Sequence, residues 1–237
     1  YIDYKYYNGG ITMELKAMFP NLNVMWIRWS DYEITTFDHV EYLVPAEKAT
    51  PLAYDCAEQA EQLVADALEL GRQLRMGAPD KNRLCAAFAA RHGLLGLARV
   101  NTDDPDGGPL SAALDSRQYG EPVDELNREF QKLYYHFLYT RADVPPPEAP
   151  ATMLDLEGTL HYRLTGGLVP QLIWEAHSMY EVLRLSYAML MTQEKPTLKV
   201  CKNCGKVYYN THAKSEFCGT KCRNYYNVKV FREREKM

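Results

Sequence analysis

The sequence predicts an α+β protein: a mainly helical body with a small N-terminal β-sheet, followed by a C-terminal four-cysteine module and a last helix. Three observations carry this reading. Residues 11–45 concentrate β-forming side chains, residues 56–140 hold three runs of helical apolar periodicity, and four of the six cysteines fall within 22 residues near the C-terminus.

The β-formers come in clusters: Ile11 to Met13, Val24 to Ile27 with Trp29, then Tyr32, Ile34 and Thr35, and Val40 through Val44. Pro20, Asn21 and Asn23 punctuate them, so two to four strands are expected. Cys56, Ala60, Leu63, Ala67, Leu70 and Leu74 then recur at steps of three and four, one stripe of a helix that Gly77 and Pro79 end. Asp80 is placed to cap a second helix, with Leu84, Cys85 and Phe88 inward and Gly93 as its stop. Asn101 to Gly108 reads as a turn-rich acidic loop. A third helix is expected from about Pro122 to Thr140, with Val123, Leu126, Phe130, Leu133 and Phe137 on one face. The run from Asp143 to Pro150 has the composition of a stiff linker. Leu160 to Leu164 is a candidate strand closed by Gly166-Gly167. Pro170 suits the first turn of a long helix carrying Leu172, Ala176, Met179, Leu183, Tyr187 and Leu190, ending near Lys195-Pro196.

At 237 residues the chain has room for one or two domains, divided here into an acidic body (1–197) and a basic module (198–237). The net charge of −4 hides an asymmetry: residues 199–237 carry ten Lys/Arg against three acids, a formal +7, leaving −11 on the rest. Such a module suits a polyanionic partner or an acidic protein surface, including that of its own body. No apolar run approaches the roughly 18 residues of a membrane helix, and no secretion signal is legible at the N-terminus. The expected setting is the reducing cytoplasm, without a membrane partner, and a homo-oligomer is compatible with the many tyrosines, among them Tyr4, Tyr6 and Tyr7. Cys56 and Cys85, isolated on helical stretches, read as core thiols.

The other four cysteines are spaced Cys201-x2-Cys204, thirteen residues, then Cys218-x3-Cys222. Each short-spaced pair brings two thiolates to one side of a turn, and a tetrahedral Zn²⁺ closes the loop between the pairs. Gly205 and Gly219 relieve crowding at the two turns. Lys202, Lys206, Lys221 and Arg223 flank the ligands and offset the charge of four thiolates. With four protein ligands the metal has no open position, so a zinc ion here is structural. Disulfides and an iron–sulfur cluster are the competing readings, and this spacing is not a ferredoxin run. His212, between the pairs, is a spare ligand or a solvent-facing side chain.

Read as a helix starting near Gly219, the segment after Cys222 places Tyr225, Lys229, Arg232 and Lys236 on one face and Arg223, Asn227 and Arg234 on another. Basic side chains with asparagine and tyrosine have the parts to grip phosphates and reach base edges. The plainer reading is a solvated helix whose Tyr226 and Phe231 pack on the cysteine turns.

The module from Cys201 to Lys236 resembles the C-terminal zinc finger of bacterial CGNR-type proteins. It is more closely similar to four-cysteine fingers ending in C-R-N-x-x-N-x-x-x-x-R, found in proteins of Gram-positive bacteria and their mobile elements. Phe88 to Leu97 resembles the "YGLLGL" segment upstream in that second group. CGNR proteins carry C-G-N-R where this chain has Cys222-Arg223-Asn224. The resemblance implies a finger following a mixed α/β domain, with DNA binding and transcription control as the expected role.

No H-E-x-x-H, G-x-S-x-G, P-loop or G-x-G-x-x-G pattern is present. The six histidines never pair at i, i+4. His136 and His177 lie in apolar stretches read as helical and are expected to be core or boundary residues. Glu175 and His177, two apart on a helix, would face different ways. Asp103, Asp104 and Asp106 lack the calcium-loop pattern. Trp26, Trp29 and Tyr32 form a ligand-stacking surface or, more simply, core. The expectation is a nonenzymatic zinc-finger protein binding nucleic acid, with DNA as the expected form, through Arg223, Asn227, Lys229, Arg232, Arg234 and Lys236. The alternatives are a protein–protein module and a component of a phage-defence or toxin system.

Overall fold

The computed structural model describes residues 15–19, 21–97, 120–141 and 156–235. The acidic loop at 101–108, the linker at 143–150, Tyr4, Tyr6, Tyr7 and Lys236 lie outside them. Helices and small sheets are both present, as an α+β chain requires.

A one-turn helix, α1 (Leu15–Met18), precedes five strands: β1 (Leu22–Asn23), β2 (Met25–Trp29), β3 (Tyr32–Phe37), β4 (Val40–Pro45) and β5 (Pro51–Asp55). The first four answer the β-rich stretch. The fifth went unread because Pro51 and Ala53 are poor β-formers; it is held by antiparallel pairing along the whole of β2, from Met25 opposite Asp55 to Trp29 opposite Pro51. Trp26, Trp29 and Tyr32 are buried core, not a ligand surface.

A 3₁₀ turn, Cys56–Gln59, capped by the Asp55 carboxylate, leads into α2 (Ala60–Arg75). All six stripe residues of the expected helix are buried. Next comes α3 (Lys81–His92), whose N-cap Asp80 accepts from Arg83 N–H at 3.3 Å and whose C-cap is Gly93. After β6 (Glu121–Pro122), α4 (Val123–Arg141) packs along α2. Gly71 is what permits this approach: a Cβ there would lie 2.1 Å from the Phe130 carbonyl oxygen. Phe130, Leu133 and Phe137 of α4 complete the core against α2.

The expected long helix from Pro170 is corrected. Residues Gln171–Glu175 form a strand, β8, paired in full register with β7 (His161–Thr165) and in parallel with β1. The helix, α5 (Met179–Met191), starts nine residues after Pro170 and stops before Lys195. Ser178 sets that start, because its hydroxyl accepts from Glu181 N–H at 3.1 Å while the Glu181 carboxylate accepts from His177 N–H at 2.6 Å. This is a variant of the capping box, its carboxylate reaching the N–H one residue before the N-cap, and it fixes where helical geometry begins. Leu172 and Ala176 therefore leave the helical stripe. His177 is exposed rather than core, stacked on His161 with 3.9 Å between ring centroids. Its Nε2 lies 4.0 Å from a Glu175 oxygen, so the two residues share one side after all. His136 is buried, hydrogen-bonded to the Tyr187 hydroxyl at 2.8 Å.

The segment after Gly93 is held by side chains from β2 and β6 and by a backbone N–H of the helix α5. Trp26 donates its indole N–H to the Leu94 carbonyl at 2.9 Å, and the buried Glu121 carboxylate accepts from Leu95 N–H at 2.9 Å and Leu97 N–H at 2.7 Å. Tyr180 N–H then donates to the Leu95 carbonyl at 2.8 Å, tying α5 to the same stretch. Burial drives the Glu121 pKa up to about 7 against the pull of those N–H donors. Asp66 goes the other way: burial alone would raise it, but hydrogen bonds from His92, Arg91 and Gln62 outweigh burial and hold it at about 2.

These shifts have opposite signs in stability. The Asp66 contribution is complete above its ordinary pKa of 3.8 and is lost only as the pH falls toward 2. Folded Glu121 instead keeps, between pH 4.5 and about 7, a proton the unfolded chain releases, so stability falls as the pH rises through that window. The loss is about 3 kcal/mol at full effect. Urea unfolding at about pH 5 and about pH 8 is expected to show it, and Glu121→Gln to remove most of the difference. An equal pH dependence in the variant would place the titration elsewhere.

Candidate metal centre

Two strands, β9 (Leu198–Val200) and β10 (Val207–Tyr209), form an antiparallel hairpin with Val200 opposite Val207. Cys201 and Cys204 sit in the connection between them. Cys201 N–H donates to the Lys206 carbonyl and Gly205 N–H to the Cys201 carbonyl, both at 2.9 Å, closing the turn. Gly205 has φ +72° with open space around it, so backbone conformation rather than crowding selects glycine there. Gly219 is extended, with φ 177°, and has open space too, so the steric role expected of it is not needed.

The second pair comes from the start of the last helix, α6 (Thr220–Arg234): Cys218 immediately precedes the N-cap and Cys222 lies in the first turn. The intervening loop is anchored from β9, where the Lys199 ammonium donates to the carbonyls of His212 and Ala213. Phe217 packs its ring on Tyr226 at 5.2 Å.

The four sulfurs lie within 4.8 Å of one another, with 3.7 Å between Cys204 and Cys218 and 3.5 Å between Cys218 and Cys222. A tetrahedral ion with metal–sulfur bonds of about 2.3 Å sets its sulfurs about 3.8 Å apart. These two separations are close to that edge, and all four thiols are free of disulfides. The group can hold a metal ion. His212 is exposed and outside it.

Burial and crowding act on the sulfurs unequally. Burial opposes ionisation of Cys201, yet backbone donors at Cys218, Cys204 and Asn203 pull its thiol down to about 6. Burial raises Cys204 and Cys218, and neighbouring sulfurs raise Cys218 further, because adjacent thiolates repel. The positive end of α6 faces Cys218 and Cys222. Lys202 is spent on an ion pair with Glu216. Arg72 of α2 is likewise paired, with Glu69, which raises its pKa.

Glu69 is the residue the sequence reading missed. It is 8% exposed, and its carboxylate accepts from Arg72 at 2.8 and 2.7 Å, from Gln73 at 2.8 Å and from Val207 N–H at 3.0 Å. Burial would raise its pKa, but these donors lower it. Arg141 of α4 donates to the Leu198 carbonyl at 2.8 Å, and Leu198 and Val207 join the hydrophobic core. The hairpin is thus fastened to α2 and α4.

Of the helix residues expected to meet nucleic acid, Arg223, Asn227, Lys229, Arg232 and Arg234 are all on α6 and exposed. The half-buried side chains of α6 are Cys222, Tyr226 and Val230, a single i, i+4 stripe. Tyr226 packs as expected. Phe231 does not: it is 62% exposed, because it lies on the opposite side of the helix from that stripe. Two cavities, one beside Tyr180 and Glu129 and one beneath Leu15, have a volume of about 10 Å³ each, room for one water. No helix among the described residues is long and apolar enough to cross a membrane. No family model, curated protein or solved structure matches the chain, so the site is read from its own geometry.

Replacing Glu69 by Ala strands the Arg72 guanidinium and the Val207 N–H. The expected cost is about 1–3 kcal/mol in urea unfolding, with faster loss of metal to a chromogenic chelator. A variant unchanged in both would show that the hairpin is held without Glu69. Cys204→Ser should abolish retention of one metal ion per chain, read by elemental analysis.

Proposed function

We propose that this is a zinc-finger protein that binds nucleic acid in a regulatory role, with Zn²⁺ folding the module and α6 gripping phosphates. The observation that carries the reading is the division of labour within the module. Its hairpin docks on the body, while α6 stays exposed along its length, apart from the stripe over the sulfurs, and points five cations outward: Lys221, Arg223, Lys229, Arg232 and Arg234.

Zinc suits four thiolates because tetrahedral all-sulfur sites favour it over harder ions. With every position filled by protein, it stabilises the fold and polarises no substrate. The phosphate contacts fall to Arg223, Lys229, Arg232 and Arg234, with Asn227 beside them and Lys236 following. The likeness to bacterial four-cysteine fingers ending in C-R-N-x-x-N-x-x-x-x-R belongs to the same proposal, supported by the run from Cys222-Arg223-Asn224 to Asn227 and Arg232 on α6; the C-G-N-R motif of CGNR proteins proper is absent. The rival in which the basic face docks on the acidic body is disfavoured, since the contacts with α2 and α4 come from the hairpin.

A mobility-shift assay with DNA and RNA, with and without a zinc chelator, tests this. Binding should vanish with chelator and fall steeply with salt, because each phosphate contact releases counterion. Lys229→Glu with Arg232→Glu should weaken it at least about tenfold and reduce the salt slope by about two contacts. Binding indifferent to salt and to charge reversal would overturn the proposal.

A further inference from the structure

We infer that the nucleic acid held by α6 is single-stranded, its unpaired bases stacking on Tyr225 and Phe231 while the flanking cations follow the phosphates. The inference rests on the proposed nucleic-acid reading and names its substrate class.

With Cys222, Tyr226 and Val230 against the module, helical geometry sends Tyr225, Val228 and Phe231 to the outward side. They are 75%, 48% and 62% exposed. Lys221, Lys229 and Arg232 are interleaved with them, and the helix from Thr220 to Arg234 carries five cations against the single acid Glu233. A basic helix that merely needed solvation would not place two aromatic rings and a valine in water on its free face.

The partner must therefore offer negative charge and flat apolar surface together. Duplex DNA offers the charge but hides its base faces in the stack, and its major groove is read by polar side chains on base edges. The outward sector of α6 supplies few of those: Asn224 stands among Val228, Phe231 and Tyr225. An unpaired strand presents phosphates and π-faces side by side, and aromatic side chains amid lysine and arginine are the usual platform for it. Tyr225 and Phe231, six residues apart, stand about 9 Å from each other along the helix axis. That separation lets two different bases of one strand be engaged. The face is an open surface, as sequence-tolerant strand binding requires.

The test is fluorescence anisotropy of the full-length, zinc-loaded protein with labelled oligo(dT), oligo(U) and a duplex of equal length. Single strands should bind at least about tenfold more tightly than duplex at one salt concentration, and the dT and U arms tell DNA from RNA. Tyr225→Ala and Phe231→Ala should each weaken strand binding by about 5- to 100-fold. The salt slope and the metal content should stay unchanged, and Tyr225→Phe should restore binding. Equal or tighter duplex binding, or alanine variants that bind strands normally, would overturn this inference and leave the broader reading standing. Absence of binding to every oligonucleotide at low salt would overturn both.

Discussion

Four sulfur atoms gathered within 4.8 Å are the constraint on which the C-terminal forty residues depend. They come from two local structures, a hairpin turn and a helix start, that share little apolar surface. Val207 and Leu198 face the body and Phe217 covers Tyr226, but α6 has no buried residue at all. A helix of fifteen residues with no buried face is marginal alone in water. Its position is set by Cys218 and Cys222 at its first turn and by the Tyr226 contact.

That local anchor acts at a distance because the other half of the site is fixed to the body. Glu69 reaches the Val207 N–H from the middle of α2, where Arg72 and Gln73 of the same helix also donate to it. The buried carboxylate is stable there because its four hydrogen bonds offset the desolvation cost. The helix that builds the hydrophobic core with α4 therefore also aligns the cysteine hairpin. The polar clamp formed by Trp26, Glu121 and the Tyr180 N–H on residues 94–97 plays a comparable role where the backbone leaving α3 has no ladder of its own.

Much of this was legible from residues alone. The cysteine spacing named all four members of the cluster, and the apolar steps along α2, α3 and α4 named their buried faces, with Asp80 and Gly93 at the ends of α3. The segment 171–178 misled for a physical reason: Leu172, Ala176, Met179 and Leu183 satisfy helical spacing, yet Ile173 and Trp174 between them also suit a strand. Periodicity alone does not separate the two in a short apolar run. The deciding signal was the Ser178–Glu181 pair, which marks the true helix start. Glu69 carried a different lesson. An acid on the buried side of a helix announces that it has partners, but one of them is a backbone N–H 138 residues away. No local pattern points to it. Phe231 looked like core by type and proved to be surface, since the half-buried stripe of α6 is only one side chain wide.

The most direct test of the account is zinc K-edge absorption spectroscopy on the purified full-length protein. Four sulfur scatterers at about 2.3 Å, with no nitrogen or oxygen in the first shell, are the expected result. A first shell containing histidine nitrogen or water would mean that His212 or solvent completes the site, and would contradict the closed four-thiolate centre.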